Sequence, residues 1–341
     1  MGELKLERKQ LVNENHWLRT KTSAASAIHG AIKYTDKKYL NLIDVMGLTS
    51  HAFRINIDSK EINVAGPTAI PGGYLMRKSL TNLGFTSNLA DSEAPAKPDK
   101  VEQTLELIQG SIDRGIPAIG FDLFIPEFGL IYGYDDTKKV FFAKDCSRDG
   151  EVTYEEFSDI RGVLYSTTIE ESLPHSKYEM LRMALDTILD HAHGREWQGP
   201  FEDKYVIGLK AYDTWMDVLE KGNADPHGNA FNALVVSDAR EFAVKFLHDL
   251  TIKWDGTNIV ERGVRKFASD AVKHYTTAAE ALVELRELFP FPHGGEPAEK
   301  GNKEKAVQLL KKAKEAEEEG LKCLQTLSDF MNNYYAEKWV H

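Results

Sequence analysis

Hydrophobic periodicity changes once along this 341-residue chain, near residue 158. Before that point, alternating or continuous apolar runs mark strands at Ala52–Ile57, Pro117–Phe124, Phe128–Tyr134 and Lys139–Lys144. Helical stretches lie before or between them at 22–34, Lys38–Met46, Tyr74–Leu83 and Val101–Arg114. The tetrapeptide Tyr134-Asp135-Asp136-Thr137 has the polar composition of a turn between two strands, and GPTAIPGG (66–73) and DSEAPAKPDK (91–100) read as loops. After residue 158 strand signals nearly vanish. Helical spacing takes over at Lys177–His193, Tyr205–Lys221, Ser237–Thr251, Val260–Leu288 and Lys303–Tyr335, with a Pro/Gly-rich connector at 289–302. The last helix carries apolar residues three and four apart from Ala306 to Met331. The expected architecture is therefore α+β, with a mixed domain over 10–160 followed by an all-helical domain over 161–341.

Charge narrows the classes of function. The formal net charge is −11, which disfavours a nucleic-acid surface or docking on anionic membranes. No apolar run approaches the roughly 20 residues that span a bilayer. The first ten residues, MGELKLERKQ, are charged and have no apolar centre, so no secretory signal is expected. Two cysteines, Cys146 and Cys323, supply no disulfide framework, and a cytoplasmic protein is the expectation.

One loop has the spacing of a calcium site. Asp145, Ser147, Asp149, Glu151, Thr153 and Glu156 fall at positions 1, 3, 5, 7, 9 and 12 of an EF-hand loop, with Gly150 at position 6. That spacing surrounds a hard cation with oxygens and closes it with a bidentate carboxylate. The approach to the loop, VFFAKD, is β-branched and aromatic where an EF-hand needs a helix, and no second loop is present. The competing reading is a turn from a strand into a helix, with Thr153 as N-cap and Glu156 completing a capping box. On that reading no cofactor is required.

The order of elements resembles a known family. The segments SAASAIHGAIKY, DVMGLTSHAFRI, GIPAIGFDLFIPEFGLIYGYDD and FFAKD resemble the N-terminal domain of the butirosin biosynthesis protein H family. That family is similar to the papain-like fold of bacteriocin-processing peptidases. The resemblance covers about residues 10–160 and implies a papain-like N-terminal domain. It also implies acyl transfer or amide chemistry on a small-molecule or peptide ligand, with a carrier protein as acyl donor. In the family a cysteine starts the first helix, a histidine begins a later strand and an Asp or Asn ends the next one. Carried over, Ser23 (or Thr22) stands where the cysteine belongs, Glu127 where the histidine belongs and Asp145 at the orienting position. A serine with a carboxylate base is weak chemistry unless burial raises the carboxylate's pKa. The resemblance thus leaves two outcomes, an enzyme with substituted residues or a pseudoenzyme that keeps the cleft; the calcium spacing leaves a third, a non-catalytic calcium-binding or structural interaction protein. For Ser23 a helix cap is the competing role; for Glu127 it is an exposed carboxylate at a strand start, and for Asp145 a turn residue.

Other residues carry less. His51, in GLTSHAFRI, is a candidate alternative base or an edge-loop histidine, and His29 falls on the polar, solvated face of its helix. His16 and Trp17 belong to the lead-in that passes near the cleft in papain-like folds. His191 and His193 end a helix before Gly194 and suit its dipole without a metal. The run KKAKEAEEEG (311–320) reads as a solvated helix face. The helical domain is expected to cover the cleft or to pair two copies through its apolar stripe.

Overall fold

The computed structural model describes residues 7–12, 20–159 and 163–339. In chain order its first elements are β1 (Arg8–Gln10), α1 (Ser23–Ile32), α2 (Leu42–Leu48), β2 (Asn56–Asp58), α3 (Gly72–Asn82), β3 (Phe85–Glu93) and α4 (Pro98–Asp113). Then come β4 (Ala118–Phe121), β5 (Phe128–Asp135), β6 (Val140–Lys144), β7 (Asp149–Thr153), α5 (Tyr154–Ser158) and β8 (Val163–Ser172). The remainder comprises α6 (Lys177–Ala192), β9 (Tyr205–Ile207), α7 (Leu209–Glu220), α8 (Pro226–Lys253), α9 (Ile259–Leu288) and α10 (Lys300–Trp339). His16 and Trp17 lie outside the described residues. The class is mixed α+β, as the periodicity implies.

Packing divides the chain into two units, one of residues up to 45 with 73–175, the other of 46–72 with residues from 176 on. This corrects the expected boundary at 160 twice. First, β8 adds a strand beyond residue 160 that periodicity does not mark. Its sequence VLYSTTIEES is rich in β-branched residues, but Ser and Thr fill positions where apolar residues would announce burial. Ser166, Thr167 and Thr168 are fully buried because β8 runs between β3 and β4 in the sheet. Second, the 46–72 segment packs with the helices through Ile55, Ile57 and Ile62.

The first unit is built on an antiparallel sheet in the order β3-β8-β4-β5-β6-β7, with β1 beside β5. Strand β4 covers the start of β5, from Phe128 to Ile131, and β1 continues along the same edge from Gly133 to Asp135. Because alternate residues face opposite sides of a strand, Ile131 and Leu130 serve different layers. Ile131 joins Ile108 and Ile112 of α4 in a core with Ala118, Phe141, Val152 and Leu164. Leu130 meets α1, where a Cβ on Gly30 would stand 2.4 Å from its side chain. The small residues of SAASAIHGAI permit that approach. All ten residues of α1 are buried, so His29 is not on a solvated face as its position suggested. Strand β3 likewise gives no signal in local periodicity, and its end, Asp91–Glu93, falls in the segment with loop composition. FTSNLADSE lacks apolar alternation because β3 ends the sheet order and is mostly exposed or half-exposed.

The second unit is mainly helical but holds a two-stranded sheet, β2 with β9, where a purely helical domain was expected. Ala52–Ile57 becomes a 3-10 turn over His51–Phe53 followed by the short β2, and Tyr205 begins β9 rather than a helix. Side-chain caps start the long helices: Asp225 accepts from the Gly228 amide and Asn258 from the Glu261 amide. The apolar stripe of α10 is used inside the unit. Ala306, Leu310 and Ala313 pack with Trp215, Leu282 and Leu285, and Leu324, Leu327 and Met331 are buried too. The stripe is therefore not available for pairing two copies. Among the described residues, no helix is long and apolar enough to cross a membrane.

Candidate active site

Ser23 is the first residue of α1, and its hydroxyl does not cap that helix. Thr22 is the N-cap, extended and without a side-chain bond to the helix. Ser23 Oγ instead donates to Glu127 Oε2 and accepts the Phe128 amide at 3.2 Å. The fold brings the two together because α1 packs on β5, and Glu127 immediately precedes β5. Glu127 is half-buried rather than exposed. Burial raises the pKa of its carboxyl above the ordinary value. The Ser23 hydrogen bond opposes that rise, and the nearby Asp145 charge reinforces it.

Asp145, just after β6, positions the Glu127 loop through the backbone. Its Oδ2 accepts the amides of Phe124 (3.3 Å) and Ile125 (3.2 Å). Its Oδ1 accepts the Ser147 amide and hydroxyl and the Arg148 amide, at 2.6–3.1 Å. The Arg148 guanidinium lies 4.2 Å from the centre of the Phe124 ring and clamps the same loop from outside. Within the loop the Asp122 amide donates to the Glu127 carbonyl at 3.0 Å, and Asp122 takes a left-handed φ of 57°. The residue at the orienting position thus holds main chain, where the family pattern has it orienting a side chain.

The arrangement sets a hydroxyl against a carboxylate at the start of a helix. The amides of a first helical turn lack intrahelical partners and favour negative charge there. A carboxylate with a raised pKa is a stronger base than a solvated one. Cys146 is exposed and does not replace the serine. Partial desolvation of its sulfur, then the Glu127 and Asp145 carboxylates, push its thiol up to about 11, against the pull of Lys21.

His51 belongs to the second unit, where it makes its hydrogen bond. It is buried, not on an edge loop, and its Nδ1 bonds Thr49 Oγ1 at 2.7 Å. Burial lowers its pKa to about 3, with Arg54 acting in the same direction, Glu196 against it and His191 with it. His191 is also buried and does not act as a solvated helix cap. Its Nδ1 meets Glu196 Oε2 at 2.9 Å, and its Nε2 accepts the Ile55 amide at 3.0 Å. Glu196 in turn forms a bidentate pair with Arg54 at 2.7–2.9 Å. His193 is exposed.

A second buried pair was not visible in the sequence. Arg240 of α8 donates to both oxygens of Glu317 on α10 (2.8 and 2.9 Å), and the Tyr212 hydroxyl donates to Glu317 at 2.6 Å. Glu317 lies in the run expected to be solvated, yet it is buried. The only sequence signal is an arginine inside the otherwise apolar face of ALVVSDAREFAVKF.

The residues with calcium spacing do not surround a point. Asp149–Thr153 is extended strand, paired residue by residue with Val140–Lys144, where an EF-hand loop would coil. Asp149 accepts the Tyr132 hydroxyl at 2.6 Å, and Glu151 faces Lys138 at 3.6 Å. Thr153 and Glu156 form the capping box of α5, with bonds of 2.9–3.0 Å. Ser147 is bound to Asp145. Among the described residues, no three His, Cys, Asp or Glu side chains are grouped to hold a metal.

Compared with known proteins, the chain matches no family model, and no curated protein matches it.

Proposed function

We propose that the first unit is a papain-like, butirosin-H-like domain that handles acyl groups with a serine and a carboxylate in place of the family's cysteine and histidine. The observation that carries this reading is the Ser23–Glu127 hydrogen bond, made at a helix start between residues 104 positions apart. Its acyl donor would be a small-molecule or peptide thioester, ester or amide, with a carrier protein as one source. Ser23 Oγ attacks the acyl carbonyl carbon while its proton passes to Glu127. Negative charge on the carbonyl oxygen develops beside the N-terminus of α1. Collapse of the adduct breaks the bond to the leaving thiol, alcohol or amine, which takes the proton from Glu127. The resulting Ser23 ester then passes its acyl group to an acceptor hydroxyl, amine or water. Asp145 and Arg148 keep the Glu127 loop in register throughout.

The test uses a fluorophosphonate probe and intact-mass spectrometry. Wild type gains one adduct, Ser23→Ala gains none, and Glu127→Gln labels more slowly by roughly 10²-fold. Wild type that stays unlabelled over hours overturns the catalytic reading. One observation favours a second reading, a non-catalytic version of the fold. Ser23 Oγ already uses a donor bond to Glu127 and an acceptor bond from Phe128, which is what a strut between α1 and β5 needs. On that reading Ser23→Ala lowers the melting temperature, and wild type takes up no probe.

A further inference from the structure

The sheet of the first unit has two ends, and the sequence treats them differently. At one end β7 is only DGEVT, carries two acidic residues and runs straight into α5. Short, charged strands are one way sheet edges are kept from pairing with other chains. At the other end β3 has nine residues, FTSNLADSE, with no lysine, arginine or proline. Its ladder with β8 is unbroken from Ser87 to Glu93, and the register shift lies before that stretch, between Phe85 and Ser87. A strand points its amides and carbonyls alternately to its two sides, so half of those in β3 face away from β8. From Phe85 to Ser92, no main-chain group has a hydrogen bond outside the β8 ladder among the described residues. Asn88 on one face and Asp91 on the other are exposed, so the edge is open from both sides.

The charge pattern of β3 suits a second copy of itself. Laid antiparallel about a two-fold axis at Leu89, the middle residue, two β3 strands overlap over their whole length. Leu89 then faces Leu89 of the second copy, Ala90 faces Asn88, Asp91 faces Ser87 and Glu93 faces Phe85. Every carboxylate has a neutral residue opposite it. The two Asp91 residues stand about 14 Å apart along the strands, beyond the Debye length at physiological salt. Moving the axis to Asp91 or Ser92 would set carboxylate against carboxylate and shorten the overlap. Parallel pairing in register would do the first at both Asp91 and Glu93. Full antiparallel overlap supplies about eight main-chain hydrogen bonds, within the usual number for a specific interface.

We infer that β3 is a dimerisation edge, at which two copies of this chain join β3 to β3 antiparallel about a two-fold axis at Leu89. One sheet then runs through both copies, and the same contact is made twice. The inference does not depend on the acyl chemistry proposed for the first unit.

The experiment is sedimentation velocity of the full chain from low to high micromolar concentration, with far-ultraviolet circular dichroism to show that each variant folds. One copy weighs 38.4 kDa, and wild type is expected to approach twice that mass as concentration rises. Asn88→Lys combined with Ala90→Lys sets ammonium groups directly opposite one another across the axis and should weaken the dimer by about tenfold. Ser87→Lys sets an ammonium opposite Asp91 of the second copy and should tighten the dimer by several-fold. Wild type that stays at the mass of one copy overturns the inference and leaves the edge to a different chain. So does a dimer whose affinity neither variant changes. Should the double variant not fold, Ser87→Lys decides alone: a tighter dimer supports the pairing, and an unchanged or weaker one overturns it.

Discussion

Acid should weaken the second unit through His51, by an amount the structure sets. The ring is 3% exposed, and its pKa is lowered to about 3 from an ordinary 6.5. The groups acting on it are Arg54, Glu196 and His191, and the main cause is burial. Between those two pKa values the unfolded chain carries a proton that the folded chain does not. Stability therefore falls as pH falls through the unfolded value, and the loss is complete only near pH 3. Going from pH 7 to pH 5, this one ring accounts for about 2 kcal/mol. His51→Asn removes the titration and keeps a polar atom near Nδ1 to bond Thr49. The assay is urea unfolding at pH 7, 6 and 5, read by far-ultraviolet circular dichroism, for wild type and variant. His191, whose pKa is also lowered, contributes to both proteins and drops out of the difference. The variant is expected to be the less stable at pH 7, because a ring has been removed from a packed site. Its disadvantage should shrink by about 2 kcal/mol at pH 5. A disadvantage of the same size at both pH values would refute the buried, neutral His51.

Three further outcomes follow from the geometry. Arg240→Met or Glu317→Gln alone should cost about 3–5 kcal/mol in urea unfolding, because each strands a buried partner, whereas the combined Arg240→Met and Glu317→Leu change should recover much of that loss. Thr153→Ala removes the capping box of α5 and should cost about 1 kcal/mol, and adding calcium should not alter the melting temperature of wild type or variant. Ser23→Ala deletes the hydrogen bond that opposes the burial of Glu127, so carbon-13 NMR of labelled glutamate should find the Glu127 carboxyl titrating at higher pH than in wild type.

Much of the secondary structure was legible because it is written in local periodicity. Helices α1, α3, α4, α6, α9 and α10 and strands β5 and β6 lie close to where apolar spacing puts them. Elements whose burial is made by polar residues were not legible. β8 carries Ser and Thr into the middle of the sheet, and β3 shows mostly polar residues at the end of the sheet order. The same limit hid Glu317, which is chemically like its exposed neighbours and differs only in having Arg240 opposite it. In the loop after β6, the capping box was readable from Thr153 and Glu156, three residues apart. The extended path of β7, which parts the calcium-spaced oxygens, depends on pairing with β6.

The candidate site divides in the same way. Ser23, Glu127 and Asp145 could be singled out from the sequence, and the strands around Glu127 could be placed. Which role each plays could not. A serine at a helix start and a glutamate before a strand have ordinary local explanations, and local sequence favours those. Only the packing of α1 on β5 sets the hydroxyl against the carboxylate and half-buries the latter. Only the return of the chain past Phe124 turns Asp145 from a turn residue into the clasp of the Glu127 loop. Periodicity determined the elements because it depends on neighbours three or four residues away along a helix, or two along a strand. Hydrogen-bond partners and the pKa of a carboxylate depend on atoms between 20 and 105 residues away along the chain, and the tertiary structure alone brings those together.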